Sequence, residues 1–333
     1  MKTFFDYSLK SYNTFGIDST AKVFVELESI SDIKAAIDLF GIPNHILGWW
    51  SNVILPTLVE WVIWHSQFIY KNHLLQDSSI ILTIGAWENR HSTVLYTIDN
   101  GWWWIENLIA IPWNIGASPV QNIGAYWVEL QDVFVQCTVY NFDSQLVEIL
   151  DKQQCNFGYR HSIFKEYPNR YMVIDITLEL STKKKPVMSY KPIIEYFTKI
   201  WIIDPTQKQI AMAIEEIRWS KLPKPEVLGN CWSFFQNPII SWKKLSELIV
   251  LYPDIPHYPN KDWKYKLSAA WLIEKAWLKW YIQWNVWTYE HQPLVIVQYW
   301  NATNNDVIWF SWYIIDQVAS IFWVILQREV NMW

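Results

Sequence analysis

A chain of 333 residues, 51% apolar and 18% charged, is long enough for two or three domains and too apolar to stay disordered. A net charge of −5 with no long basic run argues against a nucleic-acid groove. One count is abnormal: 9 glycines stand against 25 tryptophans, where a usual glycine frequency of about 7% gives roughly 23.

The N-terminal "MKTFFDYSLK" lacks the apolar core and small-residue cleavage site of a signal peptide. "KVFVELESI" alternates Val23, Val25 and Leu27, which predicts a half-buried strand. Ser31 is expected to cap a helix with Ile33, Ile37 and Phe40 on one face, stopped by Gly41. "NHIL", "SIILTIGA", "DVFVQCTVYNF" and "YMVIDITLEL" follow as strands, so strands dominate to about residue 180. "STKKKP", residues 181–186, reads as an exposed break. Beyond it, Asp204 as N-cap and Pro205 at the first position predict a helix carrying Ile210, Ile214 and Ile217. "SWKKLSELIVLYP" is a further helix ended by Pro253, and a last one follows about residue 304.

The most apolar stretch, "DVIWFSWYIIDQVASIFWVIL", is interrupted by Asp316 and Gln317 and is expected to be a buried or amphipathic helix, not a membrane span. Cys137, Cys155 and Cys231 form no C-x-x-C pair, so neither a zinc knuckle nor a disulfide framework is expected, and a reducing cytosol fits. The seven histidines show no metal spacing, and no metal is expected. The fold class read from these elements is α+β: a strand-rich first half and a smaller mixed domain.

Four segments pack small and polar residues between apolar ones: "LGWWSNV", "IPWNIGASPVQNIGAYWVEL" (111–130), "NFGYRHSIFK" (156–165) and "KLPKPEVLGNCWSFFQNP" (221–238). The first two suit loops that cradle an anion with backbone N–H groups and short donors. Ordinary turns are the alternative, because neither has the spacing of a dinucleotide fingerprint or a P-loop.

With "SYNTFGID" before them and "YEHQPLVIV" and "QREV" after them, these segments occur in the order of the UDP-N-acetylenolpyruvoylglucosamine reductases, a family of flavoenzymes. The resemblance covers nearly the whole chain. It implies an FAD-binding α+β domain of the vanillyl-alcohol-oxidase/PCMH type over 12–182, in two subdomains of about 12–70 and 71–182. A smaller α+β substrate domain would span 205–326. It also implies NADPH as co-substrate, a UDP-sugar substrate made into a peptidoglycan precursor, and a cytoplasmic location. No membrane insertion and no nucleic-acid partner follow, and the oligomeric state is left open. A flavin oxidase on the same scaffold is the rival enzyme, and an inactive binding protein is the rival if the tryptophans are real.

Three residues match the family's catalytic set: Ser233 in "CWSFFQNP" as general acid, and Arg160 in "FGYRHSIFK" and Glu329 in "QREV" as groups that steady the intermediate. The chemistry calls for these types. Hydride addition to an enolpyruvyl ether builds negative charge on the adjacent carbon and its carboxylate; a fixed guanidinium favours that charge, and a hydroxyl returns a proton. "QREV" departs from the acidic-Pro-Glu-Val pattern of the family. His161, beside Arg160, is read as structural.

The resemblance places the cofactor against Gly48, Trp49, Trp50, Ser51, Asn52, Val53, Ser118, Gln121, Asn122, Gly124 and Ile174. It places UDP and the nicotinamide donor against Tyr190, Lys221, Asn237 and Gln292. The family pattern has glycine at Trp49 or Trp50, Trp87, Trp113, Trp127 and Trp232, and suggests it at Trp277, Trp280 and Trp333, whereas Trp271 fits the family as it stands. The simplest source is a gene whose UGA codons mean glycine in its own cells, decoded under a code in which UGA means tryptophan. TGG at Trp50, Trp113 and Trp232 in the gene would sink that idea.

Overall fold

Val25 and Leu27, together with Phe24, are fully buried in a strand, Thr20–Leu27, of a computed structural model that describes residues 1–47, 52–260 and 262–333. The helix that follows runs Ile30–Phe40 and ends at Gly41, whose φ of 76° takes the chain out of the helix as expected. Its cap is Ser29, not Ser31. Ser29 has Asp32 three residues on, so each side chain accepts the other residue's backbone N–H; Ser31 has Lys34 there and lies inside the helix.

Chain contacts divide the protein into two compact units, the first comprising Met1–Tyr7, Ala21–Trp49 and Glu60–Arg218, the second Ser8–Thr20, Trp50–Val59 and Trp219–Trp333. Two sheets build the first unit. One has the order Lys2–Ser8, Thr20–Leu27, Leu58–Ser66, His45–Leu47, the last pair parallel. Its core holds Val25, Leu27, Ile33 and Trp64. The other has the order Leu146–Asp151, Phe134–Asn141, Tyr171–Ser181, Ser79–Gly85, Lys71–Leu75, antiparallel throughout. Tyr171–Ser181 sits at its centre and is buried along nearly its whole length, Asp175 and Thr177 included.

Helices Lys191–Lys199 and Gln207–Trp219 pack Ile193, Phe197, Ile210 and Ile214 into the core of the five-stranded sheet. The second of these starts later than Asp204 predicted. Thr206 accepts the Gln209 N–H and Gln209 accepts the Thr206 N–H, a reciprocal cap, while Asp204 is drawn into an ion pair with Lys184.

The second unit contains an antiparallel sheet, Asn230–Ser233, Val295–Gln298, Val286–Thr288, Ile282–Gln283, and a three-stranded one, Ile239–Ser241, Lys264–Leu267, His257–Pro259. Helix Asn304–Phe322 buries Val307, Phe310, Ile314, Val318 and Phe322, one stripe at helical spacing. Thr303 and Asp306 form its capping box. It is amphipathic, as its polar interruptions foretold, and among the described residues no helix is long and apolar enough to cross a membrane.

Candidate active site

In the first unit, residues 111–130 fold as irregular turns around buried polar side chains: Asn114, Ser118, Gln121 and Asn122. Asn122 ties the segment together. Its amide donates to the Glu129 carboxylate at 2.9 Å and to the Gly158 carbonyl at 3.1 Å, and its Oδ1 accepts the Gln131 N–H at 3.0 Å. Gly124 opens a tight hairpin, Gly124–Ala125 against Val128–Glu129, where a Cβ would come within 2.8 Å of the Glu129 side chain. A Cβ on Gly116 would lie 2.6 Å from that of Ala86. Both glycines are demanded by close approach.

The bond from Asn122 to Gly158 reaches the turn that carries Arg160. Gly158 and His161 exchange backbone hydrogen bonds at 3.0 and 3.2 Å, with Tyr159 and Arg160 at the tip. Arg160 is left-handed, at φ 51°, and its guanidinium donates to the Gly124 carbonyl at 3.4 Å. Arg160, Asn122 and Gly124 are therefore brought together. Tyr190, at the N-terminus of Lys191–Lys199, stands edge-on to Tyr126 at 5.1 Å between ring centres.

Arg90 escaped the sequence reading. It is buried behind the loop, donating to the Ser118 hydroxyl at 3.1 Å and to the carbonyls of Pro112 and Asn114 at 3.0 and 3.2 Å. Among the described residues no carboxylate pairs with it. Burial pushes its pKa down to about 9, helped by the Arg218 charge, so it remains a cation at neutral pH. Arg218 stands over the Tyr126 ring and is held below the usual arginine value by burial. The clue was local: Arg90 is the first residue of helix Arg90–Asp99, where the helix dipole disfavours a cation. A buried guanidinium, a half-buried one and a polar, glycine-dependent loop fit an anionic group such as a cofactor diphosphate.

In the second unit, Ser233 ends its strand with the side chain exposed, while Phe234 and Phe235 are buried and anchor it. The Glu329 N–H donates to the Phe234 carbonyl at 2.9 Å and the Gln236 N–H to the Gln327 carbonyl at 2.9 Å, so "QREV" runs alongside the serine motif. Asn52 donates to the Glu329 carbonyl at 2.9 Å, and Val53–Ile54 pairs in parallel with Asn331–Met332. Glu329 is thus held next to the Ser233 strand by a backbone bond to Phe234 and tied to Asn52 by a side-chain amide.

The other expected residues are spread more widely. Gln292 shapes the turn before Val295, the strand partner of Ser233. Asn237 accepts the Ala269 N–H at 2.9 Å, at the start of helix Ala269–Lys275, and Lys221 is exposed. The side chains of Val53 and Ile174 are buried, so only their backbone faces are open to a ligand role. Gly48, Trp49, Trp50 and Ser51 lie outside the described residues. Among the described residues no cluster of His, Cys, Asp or Glu could hold a metal ion.

Two α+β units, one with a polar loop backed by the buried Arg90 and the half-buried Arg218 and the other with a serine strand clasped by residues 327–332, define an enzyme-like architecture. A sequence model described as "UDP-N-acetylenolpyruvoylglucosamine reductase, C-terminal domain" matches residues 224–333. UDP-N-acetylenolpyruvoylglucosamine reductases of Flavobacterium johnsoniae and Amoebophilus asiaticus are 34% and 38% identical to the chain. The first alignment covers 98% of each sequence and the second 97% of each. The crystal structure of the reductase from Thermus caldophilus superposes with a TM-score of 0.69 at 18% identity, covering 100% of this chain and 98% of that one. The chain belongs to the UDP-N-acetylenolpyruvoylglucosamine reductase family.

Proposed function

We propose that the chain is an FAD-dependent oxidoreductase that uses NADPH to reduce UDP-N-acetylglucosamine enolpyruvate to UDP-N-acetylmuramate, a step in making peptidoglycan precursors. The observation that carries the reading is the backbone pairing that lays Glu329 beside the Ser233 strand, in a chain aligned with reductases from end to end. FAD is assigned to the first unit, which runs past the expected end at residue 182 to Arg218 and leaves Ser8–Thr20 and Trp50–Val59 to the second. The UDP-sugar is assigned to the second unit, whose main stretch is Trp219–Trp333 where 205–326 was expected. The reaction is placed in the cytoplasm.

FAD, when bound and reduced by NADPH, would supply the hydride. Arg90 and Arg218 hold a diphosphate from behind the loop of Ser118, Gln121, Asn122 and Gly124. Arg160 balances the charge that develops on the substrate carboxylate. Ser233, exposed on a strand fixed by two buried phenylalanines, delivers the proton to carbon. Glu329 orients the serine end of the site, its backbone locked by Phe234 and Asn52. Tyr190, Lys221, Asn237 and Gln292 contact the nucleotide-sugar and the nicotinamide donor.

Stopped-flow absorbance separates the two half-reactions. Ser233→Ala should leave flavin reduction by NADPH intact and slow turnover of the enolpyruvyl substrate by roughly 10²–10⁴-fold, the range for a lost general acid. Equal losses in both half-reactions would make Ser233 structural.

A further inference from the structure

Left-handed backbone is rare for any residue with a Cβ, a few per cent at most, and rarer still for bulky side chains. Among the described residues twenty non-glycine residues have positive φ, and ten are tryptophan: Trp104, Trp113, Trp127, Trp201, Trp232, Trp263, Trp277, Trp280, Trp284 and Trp323. The chain has 15 phenylalanines and 18 tyrosines, all described, and of these Tyr126 alone is left-handed. Size and aromaticity therefore do not explain the pattern.

Geometry at several of these positions is the kind glycine supplies. Helix Arg90–Asp99 ends in a Schellman motif with glycine in place: Gly101, at φ 70°, donates to the Ile98 carbonyl, and Trp102 donates to Thr97. Helix Lys191–Lys199 ends identically, Trp201 donating to Thr198 and Ile202 to Phe197. Helix Ala269–Lys275 repeats it, Trp277 donating to Glu274 and Leu278 to Ile273. Trp323 closes Asn304–Phe322 with a bond to the carbonyl four residues back, as Gly41 closes Ile30–Phe40.

The turns agree. Tyr126 and Trp127 form a two-residue hairpin loop with φ 52° and 65°, the turn whose second place favours glycine. Asp262 and Trp263, both at 57°, lie just before strand Lys264–Leu267, and Trp284 leads the two-residue turn between Ile282–Gln283 and Val286–Thr288. Trp104 and Trp113, at 115° and 104°, lie where side chains are scarcest.

We infer that the working protein carries glycine at these ten positions. Five of them, Trp104, Trp201, Trp263, Trp284 and Trp323, are assigned by backbone geometry alone. Trp87 and Trp333 are not left-handed, so the backbone gives no reason for glycine there. Glycine at 113 would withdraw the indole that now lies 5.2 Å from the Arg90 guanidinium.

Two measurements test this, and neither reads turnover, so both stand apart from the reductase reading. The first is peptide mass spectrometry of the protein purified from cells that carry the gene. It should show glycine at the ten positions and tryptophan at Trp64, which is fully buried. Tryptophan at Trp201 and Trp277 overturns the inference. The second is urea unfolding of the chain as written. Trp201 and Trp277 are 91% and 90% exposed, so little packing is lost with their indoles. Trp201→Gly and Trp277→Gly should each raise the folding constant by about ten-fold. Trp309→Gly, at a 62% exposed position inside a helix, should lower it by a few fold. If the chain as written does not fold, the ten-glycine chain becomes the background and each tryptophan is returned singly, with the same ten-fold difference expected. Unchanged or lower stability with glycine at both Trp201 and Trp277 overturns the inference.

Discussion

Asn122→Ala should destabilise the first unit by about 3–5 kcal/mol. The side chain is fully buried and makes three hydrogen bonds, to Glu129, Gly158 and Gln131, at 2.9, 3.1 and 3.0 Å. Each such bond contributes about 1 kcal/mol net, and the Gln131 N–H loses its acceptor, which adds roughly 1 kcal/mol more. Asn122 is also left-handed at φ 44°, a conformation asparagine tolerates and alanine resists by about 1 kcal/mol. Against a stability of about 5–15 kcal/mol the variant should still fold. Urea unfolding should show a lower midpoint with an unchanged slope. FAD affinity should fall as well, because the Asn122–Gly158 bond couples the loop to the turn of Arg160. A stability loss below about 1 kcal/mol would refute the view that this side chain is the strut of the loop.

His65 gives a pH prediction. Its ring is buried among Phe24 and Trp87, and burial pushes its pKa to about 4 from the ordinary 6.5. Glu26, 3.6 Å away, pulls the other way, but the ring is 1% exposed and desolvation dominates. A base whose folded pKa is depressed stabilises fully above its unfolded pKa. That stability is lost as pH falls from about 6.5 toward 4, by up to about 3 kcal/mol. Urea midpoints should therefore fall more steeply over this window in the parent than in His65→Phe; parallel curves would count against the burial argument. Thr303→Ala removes the capping box of helix Asn304–Phe322 and should cost about 1 kcal/mol, with Asp306→Ala costing a similar amount and the double variant less than the sum. Additive losses would mean the two side chains act independently.

Local rules reach as far as local causes. Gly41 ends its helix because only a residue without Cβ takes that turn cheaply, and the alternating strands and the stripe of Asn304–Phe322 follow from side-chain periodicity. The caps fall two residues from Ser31 and two from Asp204, at Ser29 and Thr206, because a cap depends on a partner three residues on and not on residue type alone. The segments named as chemical by their composition include those that hold Ser233, Arg160 and Asn122.

Tertiary structure alone decided the rest. Glu329 meets the Ser233 strand through a bond between chain segments that share no sequence period. Arg90 is a cation at a helix start in the sequence, but only the fold buries it behind the loop, where three hydrogen bonds to Ser118, Pro112 and Asn114 fix its guanidinium. The composition announced an excess of tryptophan and a shortage of glycine, but which tryptophans stand in glycine's place depends on the sign of φ. That sign is set by the hydrogen bonds closing each helix end and turn, which a list of residues does not contain.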